Sequence, residues 1–573
     1  MSRIPLLPAT SLVAAALVLA ACNKPADAPA TPSSTAASIS DAPINAADFA
    51  ERVKTLASDE FAGRAPGSIG EEKTVEYLKA EFERLGLKPG NGDSYFQTVP
   101  MVETTADEST RLHLVVDGKP RDLKFGDDMV IGTRSGQTEV KLADSELVFV
   151  GYGVNAPELG WNDYAGVDVK GKTVVMFIND PGFHVQDAEL FEGKRMTYYG
   201  RWVYKFEEAA RQGAAAALII HDTDGASYGW DVVKNSWSGA QFDLAVADDP
   251  EPRLPAQGWI TGDVARQVLG ELGQNLDALY QAANQPGFKA IPLNASLSLD
   301  LKSAITEKSS RNVVALLPGT TRPDEAVVYM AHWDHLGDHG HEGQNGGIPT
   351  IDSIYNGAVD NATGVAGILG IAQAFAAQQP APERSVLFLA VTLEESGLLG
   401  SKYYVAHPSI PLDKTVAVIN LDAMSVIGRS RDMTVVGMGS SELEDILAGF
   451  AKEQGRVLVP ESTPESGFYF RSDHFNFAKA GVPALYAKGG DDLVEGGKAA
   501  GQQADLDYRD HRYHKPGDEF DPSWKLDGVV QDLDALYGVG RELAGSDQWP
   551  NWYPGNAFRA ARDDMMRTAD KTP

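Results

Sequence analysis

The chain is predicted to be an α/β protein built on a mainly parallel sheet, with a separate strand-rich module inserted before most of that sheet. Two observations lead there. After about residue 311, short apolar runs at 327–331, 386–393 and 416–421 alternate with helical patterns at 364–377 and 442–454. Such runs between helices read as strands buried on both faces, and sheets of this kind gather functional residues at the carboxyl ends of their strands. Between roughly 127 and 293 the pattern changes to stretches such as Glu146-Leu-Val-Phe-Val-Gly-Tyr-Gly153 and Lys172-Thr-Val-Val-Met-Phe177, which mark a second module.

The bulk properties agree with more than one domain. A chain of 573 residues exceeds what one hydrophobic core serves, and 43% hydrophobic with 23% charged residues is an ordinary globular composition. The balance of 80 acidic against 50 basic residues gives a formal charge of -30, which repels nucleic acid and anionic lipid headgroups. No internal repeat recurs at a fixed period, which sets solenoids and propellers aside.

Taken in order, the chain opens on Arg3 followed by an apolar run over residues 12–21 that is too short to span a bilayer. It reads as an export signal. The run ends in Leu19-Ala20-Ala21-Cys22, which resembles the bacterial lipobox, and Cys22 is the only cysteine of the chain. Asn23 in place of Asp resembles the pattern that permits sorting to the outer membrane. The expected location is therefore exported and lipid-anchored, facing the periplasm or the cell surface, with the lipid as the only membrane contact.

Residues 23–44 are dominated by Ala, Pro, Thr and Ser, which bury too little apolar surface to fold and should act as a tether. Val75, Leu78, Phe82 and Leu85 then recur at helical spacing, closed by Gly86. The resulting division is a leader at 1–22, the tether, the first part of the main domain at 45–126, the module at 127–293, the rest of the main domain at 294–548 and a tail at 549–573. Within the module, Tyr164-Ala-Gly-Val-Asp-Val-Lys-Gly-Lys172 and Lys205-Phe-Glu-Glu-Ala-Ala-Arg-Gln-Gly213 resemble a protease-associated domain, an insert that borders active sites without being catalytic.

Each predicted strand of the main sheet ends in residue types that bind metals. The first runs into His332-Trp333-Asp334, the second into Glu394-Glu395 and the third into Asp422. Asp360 lies in the loop Asn356-Gly-Ala-Val-Asp-Asn-Ala-Thr-Gly364, and His514 in Tyr513-His-Lys-Pro-Gly-Asp-Glu519. Any one of these alone reads more readily as a surface carboxylate or a core histidine. Their joint occurrence shifts that reading, and imidazole with carboxylate but no thiolate suits Zn²⁺, with Co²⁺ or Mn²⁺ as substitutes. Glu394 and Glu395 follow an apolar strand, where gratuitous charge is costly, and as neighbours their side chains diverge.

The ordered set His-x-Asp, Asp-Asn-Ala-x-Gly, Glu-Glu, Asn-Leu-Asp and His-x-x-x-Asp resembles the MH-clan zinc aminopeptidases, a family that includes bacterial leucyl aminopeptidases and glutamate carboxypeptidase. The resemblance implies a three-layer zinc-peptidase domain with a mainly parallel mixed sheet and an inserted β-rich protease-associated domain. It implies two Zn²⁺ ions, one held by His332 and Asp422, the other by Glu395 and His514, with Asp360 shared. It assigns Asp334 to orienting His332, Glu394 to the general base acting on a metal-activated water, Tyr513 to the oxyanion and Arg471 to substrate contact. A hydrogen-bonded core Tyr513 and an Arg471–Asp473 pair are the bland alternatives. His335 and His474 match no ligand position, which leaves them packing or ligand-supporting roles, and His339, His341 and Glu342 lie in a Gly-rich stretch that reads as a surface loop, with a further metal site as the alternative.

The implied activity is that of an exopeptidase hydrolysing N-terminal residues from peptide substrates. A carboxypeptidase or a glutaminyl cyclase of the same fold is the nearest alternative, because the motifs specify metals and water rather than the end of the substrate. A carboxypeptidase-like zinc family with a similar ligand string fits less well, since its extra domain falls between the fourth and last ligands. A noncatalytic binding lipoprotein would be expected to lack a ligand or the base, and this chain keeps all six.

Overall fold

The structure is a computed structural model that describes residues 44–339 and 352–569. Cys22, the leader and most of the tether lie outside the described residues, as do His341 and Glu342.

Four parallel strands form the centre of the main sheet, in the order Arg384–Val391, Arg322–His332, Thr415–Asn420 and Ala484–Gly489. Antiparallel strands flank them. Ile291–Leu317 pairs with Arg384–Val391 on one side and then with Phe96–Ala106, while Asp432–Val435 pairs with Ala484–Gly489 on the other. The sheet is thus mixed and mainly parallel at its centre.

Alternation along the strand Arg322–His332 shows why three layers form. Val327, Tyr329 and Ala331 face a core shared with the helices Ala46–Leu56, Ile69–Arg84, Thr363–Ala377 and Asp527–Ala544. Val328 and Met330 face the opposite core, built with Phe475, Phe477, Trp552 and Phe558. All five strand residues are fully buried, and burying the Val and Met side chains contributes roughly 1.5–3 kcal/mol each. Helix Thr363–Ala377 is buried almost throughout, as an apolar helix without a polar face must be.

Helix ends follow their capping residues. Asn45 accepts the backbone N–H of Asp48 at the start of Ala46–Leu56, and Ser68 that of Gly70 at the start of Ile69–Arg84. The second helix ends before Gly86, whose positive φ of 80° turns the chain away.

The module has its own sheet, with one core on each face. It begins earlier than residue 127: the hairpin Arg111–Val116 and Lys119–Lys124 joins this sheet, with Leu112, Leu114, Val116 and Leu123 in its core. Its C-terminal limit is no loop at all. Ile291–Leu317 is one continuous strand whose first part pairs with Arg111–Val116 and Glu139–Phe149, and whose second part pairs within the main sheet.

Residues 549–569 are not a loose tail. Trp552 is fully buried, its indole N–H donates to the Gly481 carbonyl at 2.9 Å, and helix Arg559–Ala569 follows. Three large apolar residues, Trp549, Trp552 and Phe558, give this segment enough surface to dock.

Candidate metal centre

Parallel neighbours bring the strand ends together. His332 ends the strand that lies between Arg384–Val391, which leads into Glu394 and Glu395, and Thr415–Asn420, which leads into Asp422. Strands in a sheet run about 4.8 Å apart, so three carboxyl ends side by side converge on one patch.

Left-handed backbone marks the turns that follow. Leu393 has φ 57°, Ala423 φ 46° and His514 φ 53°, each adjacent to or at a proposed ligand or the proposed base. For residues with a Cβ this conformation costs roughly 1–2 kcal/mol each, and such strain gathers at functional sites.

The geometry is specific. His332 Nε2 stands 3.2 Å from Asp360 Oδ1 and 3.4 Å from Asp422 Oδ1. His514 Nε2 stands 3.2 Å from the other oxygen of Asp360, Oδ2, and 3.1 Å from Glu395 Oε2. Ligand atoms of His332, Glu394 and Glu395 also lie within 4.8 Å of one another. The five ligand candidates and the base candidate named from the sequence therefore meet in one place.

The loop that presents Asp360 is held from several sides. Asn361 donates to the Leu421 carbonyl at 3.0 Å and accepts the Ala423 N–H at 3.2 Å, tying the loop to the strand end that carries Asp422. Gly364 must lack a side chain, because a Cβ there would stand 2.3 Å from the Leu421 carbonyl oxygen. Asp518 accepts the N–H groups of Val359 and Asp360. Ser472 receives Asn420 Nδ2 at 2.7 Å and donates to Asp422 Oδ2 at 2.6 Å. Asp518 and Ser472 had no assigned role in the sequence, although both lie inside the motif segments that contain His514 and Arg471.

Electrostatics favour cations here. Burial alone would push the His332 imidazole down, yet Glu394, Asp360 and Asp422 outweigh it and hold the group well above its ordinary value. His514 behaves likewise: burial lowers it, and Asp360 and Glu395 raise it to about 10. Glu394 is pushed well above the ordinary carboxyl range by burial, with Glu395, Asp422 and Asp473 adding to the shift. Burial and Asp360 would raise Glu395 too, but the imidazoles of His335 and His514 bring it to about 2. Four carboxylates around two imidazoles form a site that calls for positive charge, and this donor set of oxygen and nitrogen fits a divalent cation.

Other expectations divide. The Asp334 carboxylate stands 3.8 Å from His332 Nδ1, whereas the Asp334 backbone carbonyl stands 3.2 Å from it. The carbonyl is thus the nearer partner of the imidazole. The carboxylate instead accepts the backbone N–H groups of Glu394 at 3.2 Å and Glu395 at 3.4 Å, and holds the turn between two strand ends. Tyr513 stacks on the His514 ring at 4.0 Å, and among the described residues its hydroxyl has no hydrogen-bond partner.

Arg471 lies over the Phe468 ring at 5.2 Å, while Asp473 accepts from Ser401 at 2.6 Å, so the two do not pair. His474 is fully buried between the rings of Tyr469 and Tyr486. The His339 ring lies tilted against Tyr355 at 4.5 Å.

Similarities to known proteins can now be set beside this geometry. An aminopeptidase from Aneurinibacillus sp. strain AM-1 aligns with 89% of this chain and 97% of its own, at 20% identity and a TM-score of 0.48. The chain is 27% identical to mouse (Mus musculus) aminopeptidase NAALADL1 over 217 residues, 35% of this chain and 26% of that protein. A glutamate carboxypeptidase 2 homolog of Caenorhabditis elegans is 24% identical over 318 residues, 49% of this chain and 38% of that protein. The chain thus spans about a quarter to two fifths of these two relatives. Residues 312–537 match the family model described as Peptidase family M28. That stretch carries His332, Asp360, Glu394, Glu395, Asp422 and His514, so the similarity to peptidase family M28 takes in every ligand candidate and the base candidate.

Proposed function

We propose that the protein is a two-zinc aminopeptidase. One observation carries the two-ion reading: the oxygens of Asp360 face different imidazoles, His332 and His514, each at 3.2 Å. Two ligands on one tetrahedral zinc with bonds of ~2.0–2.1 Å stand about 3.3 Å apart. The pairs at 3.1–3.4 Å match that spacing. His332 and Asp422 would hold one ion, His514 and Glu395 the other, and Asp360 both. Ions held by these residues would supply Lewis acidity toward a peptide carbonyl and a lowered pKa for water.

The chain's own residues supply the rest. Glu394 is the carboxylate of the set left without an imidazole partner, which leaves it to take a proton from the attacking water. It then hands that proton to the leaving nitrogen. Tyr513, stacked on the His514 ring, would supply a hydroxyl to donate to the developing oxyanion. Arg471, exposed and unpaired with a carboxylate, is available to the substrate.

Aminopeptidase specificity rests on the name of the NAALADL1 relative, and a carboxypeptidase is the alternative that the glutamate carboxypeptidase relative supports. The inserted module is proposed to be a protease-associated domain on its motif resemblance, and export with lipidation at Cys22 rests on the sequence alone. The test is hydrolysis of aminoacyl-nitroanilides before and after chelation. Activity should vanish with chelator, return with Zn²⁺ and fall at least ~100-fold in Glu394→Gln. Cleavage confined to N-blocked peptides would overturn the aminopeptidase reading.

A further inference from the structure

The two unshared carboxylates of the centre are built alike. Asp422 turns Oδ1 toward His332 and has Oδ2 held by the Ser472 hydroxyl at 2.6 Å. Glu395 turns Oε2 toward His514, and its Oε1 stands 2.6 Å from His335 Nδ1. We propose that His335 is a positioning residue for the second ion site: its Nδ1–H holds Glu395 Oε1 so that Oε2 alone faces the ion. This inference rests on the two-ion reading above.

Distance separates this role from ligation. The ligand pairs stand 3.1–3.4 Å apart, near the tetrahedral spacing, while 2.6 Å is the length of a short charge-assisted hydrogen bond. Orientation matters because a ligand atom of Glu395 also lies within 4.8 Å of those of His332 and Glu394. A carboxylate free to rotate could serve either site, and one with Oε1 held serves only the second.

The imidazole is itself fixed. His335 is 2% exposed, and its ring packs so closely on Gly357 that a Cβ there would stand 2.5 Å from Cδ2. Gly357 has φ 55°, so glycine is required twice over. Arg64 clamps both sides of this contact, donating to the carbonyls of Trp333, Asn356 and Gly357. Among the described residues, His335 Nε2 is buried without a partner. Leaving such an atom unpaired costs about 1–3 kcal/mol, a cost that an apolar residue in a mere packing role would avoid.

The experiment is a Zn²⁺ titration of chelator-stripped protein against a chromophoric chelator, which reads the number and affinity of the ions without any activity measurement. Wild type should bind two ions per chain. His335→Leu should keep the first at wild-type affinity and bind the second roughly 10–100-fold more weakly. His335→Asn, whose amide nitrogen falls where Nδ1 stood, should recover most of that loss. Should the leucine variant fail to fold, His335→Gln replaces it, because its amide reaches the Nε2 position and should leave the second ion weak. Wild-type affinity at both sites in the leucine or glutamine variant would overturn the proposal, as would an equal loss in the asparagine variant. Wild type binding fewer than two ions would overturn the two-ion reading itself, a different result from any of these.

Discussion

The Asp518 carboxylate accepts the backbone N–H of Asp360 at 3.0 Å and that of Val359 at 3.1 Å, while its own carbonyl accepts the N–H of Ala358 at 2.9 Å. A residue 158 positions away in sequence thereby fixes the loop that carries Asp360, the candidate for the shared ligand. The ligand side chain can face two imidazoles only if its backbone is held at this angle.

Asp518→Ala is therefore expected to act on both ion sites together. Divalent-ion affinity should fall roughly 10–100-fold, as when partners behind metal ligands are removed. Each orphaned N–H should cost about 1–3 kcal/mol of stability. Chelator competition and urea unfolding of the stripped protein measure the two effects separately.

A second prediction concerns the seam between module and main domain. Lys479, on the helix His474–Lys479, pairs with Glu207 at 3.0 Å and Glu251 at 2.7 Å across that seam. All three side chains are largely buried. Lys479→Met removes the cation shared by both carboxylates and leaves them Arg211, 3.2 Å from Glu251 and 3.9 Å from Glu207, so the expected loss is that of the charged hydrogen bonds, about 1.5–3 kcal/mol. Urea unfolding should show it, and adding Glu207→Gln and Glu251→Gln should restore part.

The third is a pH dependence. Burial pushes His474 down to about 3, whereas the unfolded chain holds it near its ordinary value of 6.5. Between these values the unfolded chain binds a proton that the folded one refuses. This contribution to stability is thus full above pH 6.5 and is lost as the pH falls toward 3, at about 1.4 kcal/mol per unit. Wild type should lose about 2 kcal/mol more than His474→Phe between pH 7.5 and 5, read from urea unfolding at each pH. Equal losses would remove His474 from the acid response.

Much of the centre was legible because its residues sit at strand ends, where an apolar run stops at a charge. His332, Glu394, Glu395 and Asp422 are of this kind. Asp334 was legible as part of the centre but not in its role: the motif does not tell a side-chain carboxylate from a backbone carbonyl, and the structure turns the nearer carbonyl to His332. His335, read as matching no ligand position, differs from a packing residue only through its distance to Glu395. The tail was misread because Trp552 and Phe558 show no period, and their burial depends on a groove supplied by other segments.

By itself the sequence determined the parallel sheet buried on both faces and named the candidate metal-binding set, because these follow from local apolar periodicity and residue chemistry. Only the tertiary structure decided that one strand, Ile291–Leu317, serves two sheets, that Asp360 turns one oxygen to each imidazole, and that Asp518, Ser472 and His335 hydrogen-bond to the Asp360 backbone, Asp422 and Glu395. The physical reason is range. Burial patterns are written between neighbours along the chain, whereas a hydrogen bond that aims a carboxylate joins residues 50 to 158 positions apart and exists only once the strands have met.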